Sequence, residues 1–309
     1  MLQIGKPVKP KISIIIPTYN RAEHLNDTLT SLFRQSLQDF EIIVVDDGSQ
    51  DGTEEMLRKW MLDHDLSMGV IHQPNRGAAI ARNMGVKAAH ADIIAFIDDD
   101  CVADENWLKN AIGHFDKEFV VGVVGKIEKE DKDTTPTSAV TYTFSPEGFM
   151  TASIFYRKSA FLKVGGFDPE FKSFREDTDL GWRISELGKF VFDENVKVTH
   201  KVIDYSILGF LKKHLKLRET YYDVFLYKKH PKRFKKANEF FLGFSSHMFW
   251  IYALFGPLFL LWFGMHWLRY PDMQLLPSLG LVAALIYPWV VFFHTRMRSS
   301  IAFEDIVKH

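Results

Sequence analysis

The chain has 309 residues, of which 47% are hydrophobic and 25% are charged, and its formal net charge is -1. These values exclude a disordered or fibrous chain and argue against a dedicated nucleic-acid-binding protein, and the length allows one large domain or two smaller ones. The single cysteine, Cys101, excludes an internal disulfide, so we expect the soluble part of the chain in a reducing compartment.

The first apolar run follows a predicted N-terminal tail over residues 1–10. This run covers residues 12–16 and stops at Pro17, which is too short for a secretory signal. From residue 11 to about residue 200, short apolar runs alternate with helix-like segments, as in parallel strands joined by crossover helices. The predicted strands are Ile12–Pro17, Glu41–Asp46, Gly69–Gln73 and Ile93–Asp98. The predicted helices are Ala22–Ser36, Gly52–Asp63 and Gly77–Ala89. The pattern predicts an α/β domain with a mainly parallel sheet over residues 11–205.

Two of the predicted strands end in carboxylates, at Asp46-Asp47 and at Asp98-Asp99-Asp100. Open α/β sheets bind ligands at the carboxyl ends of their strands. Three adjacent carboxylates repel one another unless a positive charge lies between them, and Mg²⁺ or Mn²⁺ prefers oxygen ligands. We therefore expect a divalent cation at Asp98 and Asp100. The alternative is a solvated cluster of charges at the end of the strand.

The last third of the chain has a different character. Residues 206–236 combine apolar positions at helical spacing with many Lys and Arg residues, which predicts a basic amphipathic helix and linker on a membrane surface. Phe240–Leu268 and Met273–Thr295 contain no Asp, Glu, Lys or Arg, and each exceeds the ~20 residues that a helix needs to cross a bilayer. They predict a transmembrane hairpin within residues 237–309, with a buried hairpin of a soluble protein as the alternative. The basic flanks place both chain ends in the cytosol.

Six motifs follow one another in the order of a known family. They are Ser13–Arg21, Val44–Thr53, Arg76–Asn83, Phe96–Asp100, Gly165–Asp168 and Glu176–Arg183. Over about residues 11–200 the chain resembles the family 2 glycosyltransferases, which have the GT-A fold. The resemblance implies a nucleotide-sugar donor, Mg²⁺ or Mn²⁺, and an inverting displacement with one base and no covalent intermediate.

The resemblance also implies roles for individual residues. Asp98 and Asp100 match the family's DxD cation site, and His200 is a further candidate ligand, unless it is a neutral histidine satisfied within the fold. Asp177 is the candidate general base. The candidate substrate-binding residues are Pro17, Thr18, Asp47, Arg82, Asp98, Asp99, Glu176 and Asp179.

Three of these roles have a structural alternative. Asp47 follows a strand where turn residues are common. Arg82, on a predicted helix, is equally suited to a pair with a surface carboxylate. The acids from Glu176 to Asp179 also suit the N-terminus of a helix, because the helix dipole favours negative charge there.

Taken together, these features predict a membrane-anchored enzyme on the cytosolic side of the cell membrane that adds a single sugar to a membrane-associated glycan or lipid. Single addition is expected because no Gln-x-x-Arg-Trp signature of processive synthases follows Asp177. Ser153 stands where many family members carry Asn, which leaves hydroxyl contacts at that position open. The alternative function is a non-catalytic scaffold that binds nucleotide sugar, and the carboxylates of Asp98, Asp100 and Asp177 argue against it.

Overall fold

The computed structural model describes residues 2–4, 9–131, 138–139, 148–172, 174–204, 206 and 218–236. By internal contacts the chain divides into two units, Met1–Tyr222 and Asp223–His309. Both predicted membrane-spanning segments and residues 207–217 of the predicted amphipathic helix and linker lie outside the described residues. Within the described ranges, no helix has the length and apolar character that crossing a membrane requires.

The first unit is built on a nine-stranded mixed sheet. Its strands are β1 (Leu2–Ile4), β2 (Ile12–Thr18), β3 (Phe40–Asp46), β4 (Met68–His72), β5 (Ile93–Phe96), β6 (Cys101–Ala103), β7 (Val120–Lys129), β9 (Ile154–Arg157) and β10 (Lys189–His200). They lie in the order β1-β4-β3-β2-β5-β9-β7-β10-β6. Two short strands, β8 (Ser138–Ala139) and β11 (Ile203–Asp204), form a separate antiparallel pair.

Seven α-helices with named bounds accompany the strands in the described ranges. They are α1 (Ala22–Phe33), α2 (Thr53–Asp63), α3 (Ala78–Ala88), α4 (Trp107–Ile112), α5 (Lys158–Lys163), α6 (Glu176–Ile184) and α7 (Arg218–Lys229). A 3-10 turn over Gly113–Asp116 follows α4, and a further helical segment covers residues 231–236.

The predicted α/β fold is confirmed, and the seven elements predicted from the apolar pattern are present with ends within three residues. The expectation of a mainly parallel sheet holds for β4-β3-β2-β5, whose neighbouring strands are all parallel. It also holds for β7 and β10, which are parallel, but it is wrong at four other pairings: β9 is antiparallel to both β5 and β7, β6 is antiparallel to β10, and β1 is antiparallel to β4. A buried apolar strand has the same composition in either direction, so its sequence does not reveal the direction of its neighbour.

The apolar runs of β2 and β3 lie in the core, and every residue of both strands is buried. Helix α3 packs closely on this region, because a Cβ at Gly85 would lie only 2.5 Å from the side chain of Ile15. From β2, the chain adds β3 and β4 on one side and β5 on the other. The strand order therefore reverses between β2 and β5, which is where α/β sheets form a ligand crevice at their carboxyl ends.

Candidate active site

Asp99 and Asp100, which follow β5, are held by Thr18, the last residue of β2, and by Arg21, which directly precedes α1. Thr18 Oγ1 donates to Asp99 Oδ2 at 2.7 Å. Arg21 Nη1 donates to Asp99 Oδ1 at 3.0 Å and to Asp100 Oδ2 at 2.6 Å. Burial raises the pKa of Asp99 to about 6, against the opposing effects of Arg21 and Thr18. Arg21 is not among the residues predicted for the site, although the sequence places it in the short turn between β2 and α1, near the same sheet edge.

His200, the last residue of β10, faces the other oxygen of Asp100. Its Nε2 lies 3.4 Å from Asp100 Oδ1. Its Nδ1 lies 2.9 Å from the carbonyl oxygen of Lys201 and donates to it, since a carbonyl only accepts. In the neutral ring, Nε2 therefore carries the free lone pair. This is the state in which a histidine binds a metal ion.

The donor set around Asp100 fits a divalent cation. Asp100, Cys101 and His200 offer ligand atoms that lie within 4.8 Å of one another. Two ligands at right angles around one Mg²⁺ or Mn²⁺ ion are about 3 Å apart, close to the observed separation of Asp100 Oδ1 and His200 Nε2. Of the three predicted ligands, the structure thus brings Asp100 and His200 together, whereas Asp98 is turned towards Arg82.

Arg82, on α3, is a buried bridge between the strand-end carboxylates and α6. Its Nη2 donates to Asp98 Oδ1 at 2.9 Å, and its Nη1 donates to Glu176 Oε1 at 3.3 Å. The guanidinium carbon lies 5.7 Å from the ring centroid of Phe167. Thr151 Oγ1 adds a longer bond, of 3.4 Å, to Asp98 Oδ1. Arg82 is therefore not a solvent-exposed helix residue in a surface pair, because it joins two elements of the crevice.

Asp177 lies in the first turn of α6, next to Glu176. Its Oδ1 accepts hydrogen bonds from the backbone N and the Oγ1 of Thr178, at 2.6 and 3.1 Å. In the part of the chain that the structure describes, no residue donates a hydrogen bond to Oδ2. Burial raises the pKa of Asp177, and the bonds from Thr178 and the charge of Arg82 oppose this rise. Glu176 is drawn into the ion pair with Arg82 through Oε1, whereas Asp177 is hydrogen-bonded only through Oδ1, to Thr178, in the described residues and keeps Oδ2 for an incoming hydroxyl.

Asp179 is placed differently from its two acidic neighbours. It is fully buried, and its Oδ2 accepts from Arg183 Nε at 2.9 Å and from Arg183 Nη2 at 2.5 Å. Arg183 also donates to the carbonyls of Val164 and Gly166, which ties α6 to the loop after α5. The structure thus gives Asp179 a clear structural partner, and its contact with substrate stays a prediction.

Asp47, at the end of β3, organises the loop between β4 and α3. Its Oδ1 accepts from Gln73 Nε2 at 2.6 Å and from the backbone N of Arg76 at 2.8 Å. Its Oδ2 accepts from the backbone N of Gly77 at 2.8 Å. A carboxylate oxygen has room for two hydrogen bonds, so Oδ2 retains one acceptor position for a ligand. The predicted contact with a nucleobase stays a prediction.

Two further residues singled out in the sequence lie within the fold. Pro17 is inside β2, in register with Val45 of β3. Ser153 is fully buried, and its Oγ accepts a hydrogen bond from Trp107 Nε1 at 3.0 Å. The serine hydroxyl therefore satisfies an indole of the core, and a contact of Ser153 with a substrate hydroxyl stays open.

The chain is similar to known glycosyltransferases over much of its length. The family model described as glycosyl transferase family 2 matches residues 13–178. The chain is 32% identical over 205 residues to the pre-mycofactocin glycosyltransferase of Mycobacterium tuberculosis, covering 59% of this chain and 40% of that protein. It is 29% identical over 222 residues to the validoxylamine A glucosyltransferase of Streptomyces hygroscopicus subsp. jinggangensis, covering 58% and 52% respectively. The chain thus spans about half, or less, of the length of these relatives.

Solved structures show the same fold at low sequence identity. The mannosyltransferase PcManGT from Pyrobaculum calidifontis, in complex with GDP-Man and Mn²⁺, superposes with a TM-score of 0.60 at 18% identity, over 96% of this chain and 88% of that one. S. aureus TarS 1-349 in complex with UDP gives a TM-score of 0.54 at 23% identity, over 76% and 75%. This likeness identifies the architecture as a GT-A-like mixed α/β fold.

Proposed function

This chain belongs to glycosyl transferase family 2, and we propose that it transfers a sugar from a nucleotide-sugar donor with the help of a divalent cation. The observation that carries the proposal is the set of carboxylates along one sheet edge. Asp47 follows β3, Asp98 to Asp100 follow β5, and Arg82 links Asp98 to Glu176 beside Asp177. The nucleotides bound by PcManGT and TarS support the proposal, since those proteins share this fold.

At the donor end, Asp100 and His200 are the residues placed to hold Mn²⁺ or Mg²⁺. When bound, such an ion supplies positive charge that stabilises the leaving diphosphate. Asp98 is the most exposed of the three strand-end acids, with 28% of its side chain accessible, so it is positioned to contact donor in the crevice. Asp47 follows β3, which is separated from β5 by β2, and it keeps one acceptor position that we assign to the nucleobase.

At the acceptor end, Asp177 is our candidate for the general base. The acceptor oxygen forms a bond to the anomeric carbon while the bond from that carbon to the diphosphate oxygen breaks, and Asp177 Oδ2 takes the hydroxyl proton. A raised pKa brings a carboxylate closer to the working pH and makes it a better base. Glu176 is paired with Arg82 and Asp179 with Arg183, so we assign the proton transfer to Asp177 and the pathway to a single displacement without a covalent intermediate. A single displacement inverts the anomeric configuration.

We further propose that the acceptor is a membrane-associated glycan or lipid and that both chain ends face the cytosol. The support comes from sequence: two uncharged apolar stretches, 240–268 and 273–295, and a run of Lys and Arg residues over 228–236. Fractionation of cells that express the full chain tests this proposal. The chain should stay in the membrane pellet after an alkaline carbonate wash, and release by that wash would contradict a spanning anchor.

The catalytic proposal is tested with full-length protein in membranes, by release of nucleoside diphosphate from UDP- and GDP-sugars. Transfer should require Mn²⁺ or Mg²⁺ and stop with a chelator. Asp177→Asn should lower the rate roughly 10²–10⁴-fold at unchanged donor affinity, because the amide cannot take the hydroxyl proton. Asp63→Asn, at an exposed acid on α2, is the matched control and should be neutral. Near-normal turnover of Asp177→Asn would move the base to another acid, and a collapse of donor affinity would place Asp177 in the donor site.

A further inference from the structure

We propose that Arg21 is a further donor-binding residue, which compensates the charge of Asp99 and Asp100 in the free protein and transfers to the diphosphate when donor and cation bind. The inference rests on the proposed function and adds a residue that links the two ligands. The two carboxylates differ from their counter-charge in exposure to solvent.

Asp99 and Asp100 are buried, but the side chain that neutralises them is not. A single nitrogen, Arg21 Nη1, donates to Asp99 Oδ1 at 3.0 Å and to Asp100 Oδ2 at 2.6 Å. The Arg21 side chain is 39% exposed, whereas those of Asp99 and Asp100 are 7% and 5% exposed. The guanidinium thus reaches the two acids from the solvent side of the crevice.

Arg82, which neutralises Asp98, provides the contrast. Its side chain is 6% exposed, and its two other partners are Glu176 and the ring of Phe167. Moving Arg82 would leave two carboxylates without their counter-charge inside the protein. Arg21 differs because its exposed, long side chain can leave the acids while its backbone remains at the start of α1, and a cation bound at Asp100 would then supply the counter-charge that Arg21 withdraws.

Asp100 is the point at which Arg21 and a cation compete. Its Oδ2 accepts from Arg21, while its Oδ1 lies 3.4 Å from His200 Nε2, where a divalent cation would bind. Two positive groups on one carboxylate repel each other, so Arg21 opposes cation binding as long as it stays on Asp100. Asp99 keeps the hydrogen bond from Thr18 when Arg21 leaves, so departure does not strip it of all partners.

A nucleoside diphosphate removes this opposition by giving Arg21 a better partner. Guanidinium groups bind phosphate oxygens with two parallel hydrogen bonds, a geometry that one nitrogen shared between two carboxylates does not provide. We therefore expect cation and nucleotide to bind cooperatively. Each ligand should strengthen the other by the same factor, roughly 5–150-fold for ordinary coupling between sites.

Calorimetric titration of full-length protein tests this coupling. Mn²⁺ is titrated alone and then in the presence of saturating UDP or GDP. In the wild type, Mn²⁺ should bind weakly alone and more tightly with the matching nucleotide. Arg21→Gln should bind Mn²⁺ alone more tightly than the wild type does. The factor by which nucleotide increases its affinity for Mn²⁺ should fall towards one. Arg58→Gln is the matched control, since it removes the same charge from an exposed pair with Glu54 and should leave both values unchanged.

Three results would overturn the inference. They are weaker binding of Mn²⁺ alone to Arg21→Gln, unchanged Mn²⁺ binding, or a coupling factor equal to that of the wild type. If Arg21→Gln does not fold, Arg21→Lys takes its place, because it keeps the charge. This variant should bind Mn²⁺ alone as the wild type does, but nucleotide should increase its affinity for Mn²⁺ by a smaller factor. A factor equal to that of the wild type would also contradict the inference. Failure of the proposed function is distinguishable, because then the wild type itself binds neither UDP nor GDP with Mn²⁺.

Discussion

Replacing Arg82 by Met should destabilise the protein strongly, because the change leaves two acids of the crevice without their shared counter-charge. Removing one partner of a buried ion pair costs about 3–5 kcal/mol. The Glu176 side chain is 13% exposed and that of Asp98 is 28% exposed, so Asp98 retains some hydration and most of the cost falls on Glu176. We therefore expect a loss of about 3 kcal/mol, at the lower end of that range. Met keeps an unbranched apolar side chain at this position.

The loss should depend on pH in a defined direction. Burial already raises the pKa of Glu176, and Arg82 opposes the rise, so the variant should raise it further. A carboxyl whose folded-state pKa is raised above the unfolded value costs stability once it ionises, so the deficit should grow as pH rises through that pKa and shrink at lower pH.

Denaturant unfolding, followed by tryptophan fluorescence at about pH 5 and about pH 8, measures this deficit. Arg58→Met, in an exposed pair with Glu54, should change the free energy of unfolding by no more than about 0.5 kcal/mol. Adding Glu176→Gln to Arg82→Met should restore part of the lost stability. A deficit for Arg82→Met below about 1 kcal/mol at both pH values would show that the bridge formed by Arg82 contributes no more than a surface ion pair. It would contradict the role of Arg82 as the counter-charge of Asp98 and Glu176.

Three further predictions concern α6. Because burial raises the pKa of Asp177, the rate of transfer should fall on acidification through a pKa above that of an ordinary aspartate, and a pH–rate profile with no such acidic limb would contradict its role as base. Gly181→Ala should lower the thermal midpoint, because a Cβ there would lie 2.1 Å from Phe149, and the expected cost is about 1–3 kcal/mol. Gly113→Ala is the control and should be tolerated, because no atom lies within 4 Å of a Cβ at that position. Arg175 has φ 68, so Arg175→Gly should raise the free energy of unfolding by about 1 kcal/mol, and a decrease would show that its side chain outweighs the backbone strain.

The sequence was sufficient to predict those parts of the fold that depend on local pattern. Apolar runs that stop at carboxylates predicted β2, β3 and β5, and the rule for open α/β sheets then placed Asp47 and Asp98 at one edge. The same runs did not show that β9 inserts antiparallel between β5 and β7, since strand direction depends on connections far along the chain.

The partners of the charged residues were the least predictable feature, because they are set by tertiary packing. Arg82 donates a hydrogen bond to Glu176, which is 94 residues away in the sequence, and Arg21 donates one to Asp99, which is 78 residues away. No periodicity within one element reports contacts at such separations. Only the position of Arg21, next to a strand end that faces the carboxylates, gave a signal that could have identified it.

We assign to Asp100 the cation through which a nucleotide donor binds. Calorimetric titration of UDP and GDP, in Mn²⁺, into the full-length wild type and Asp100→Ala tests this assignment. We predict that the wild type binds one of the two nucleotides in a Mn²⁺-dependent manner and that Asp100→Ala loses this dependence, because a direct ligand is gone. Equal affinity of the two proteins for the nucleotide in Mn²⁺ would contradict the claim and remove Asp100 from the site.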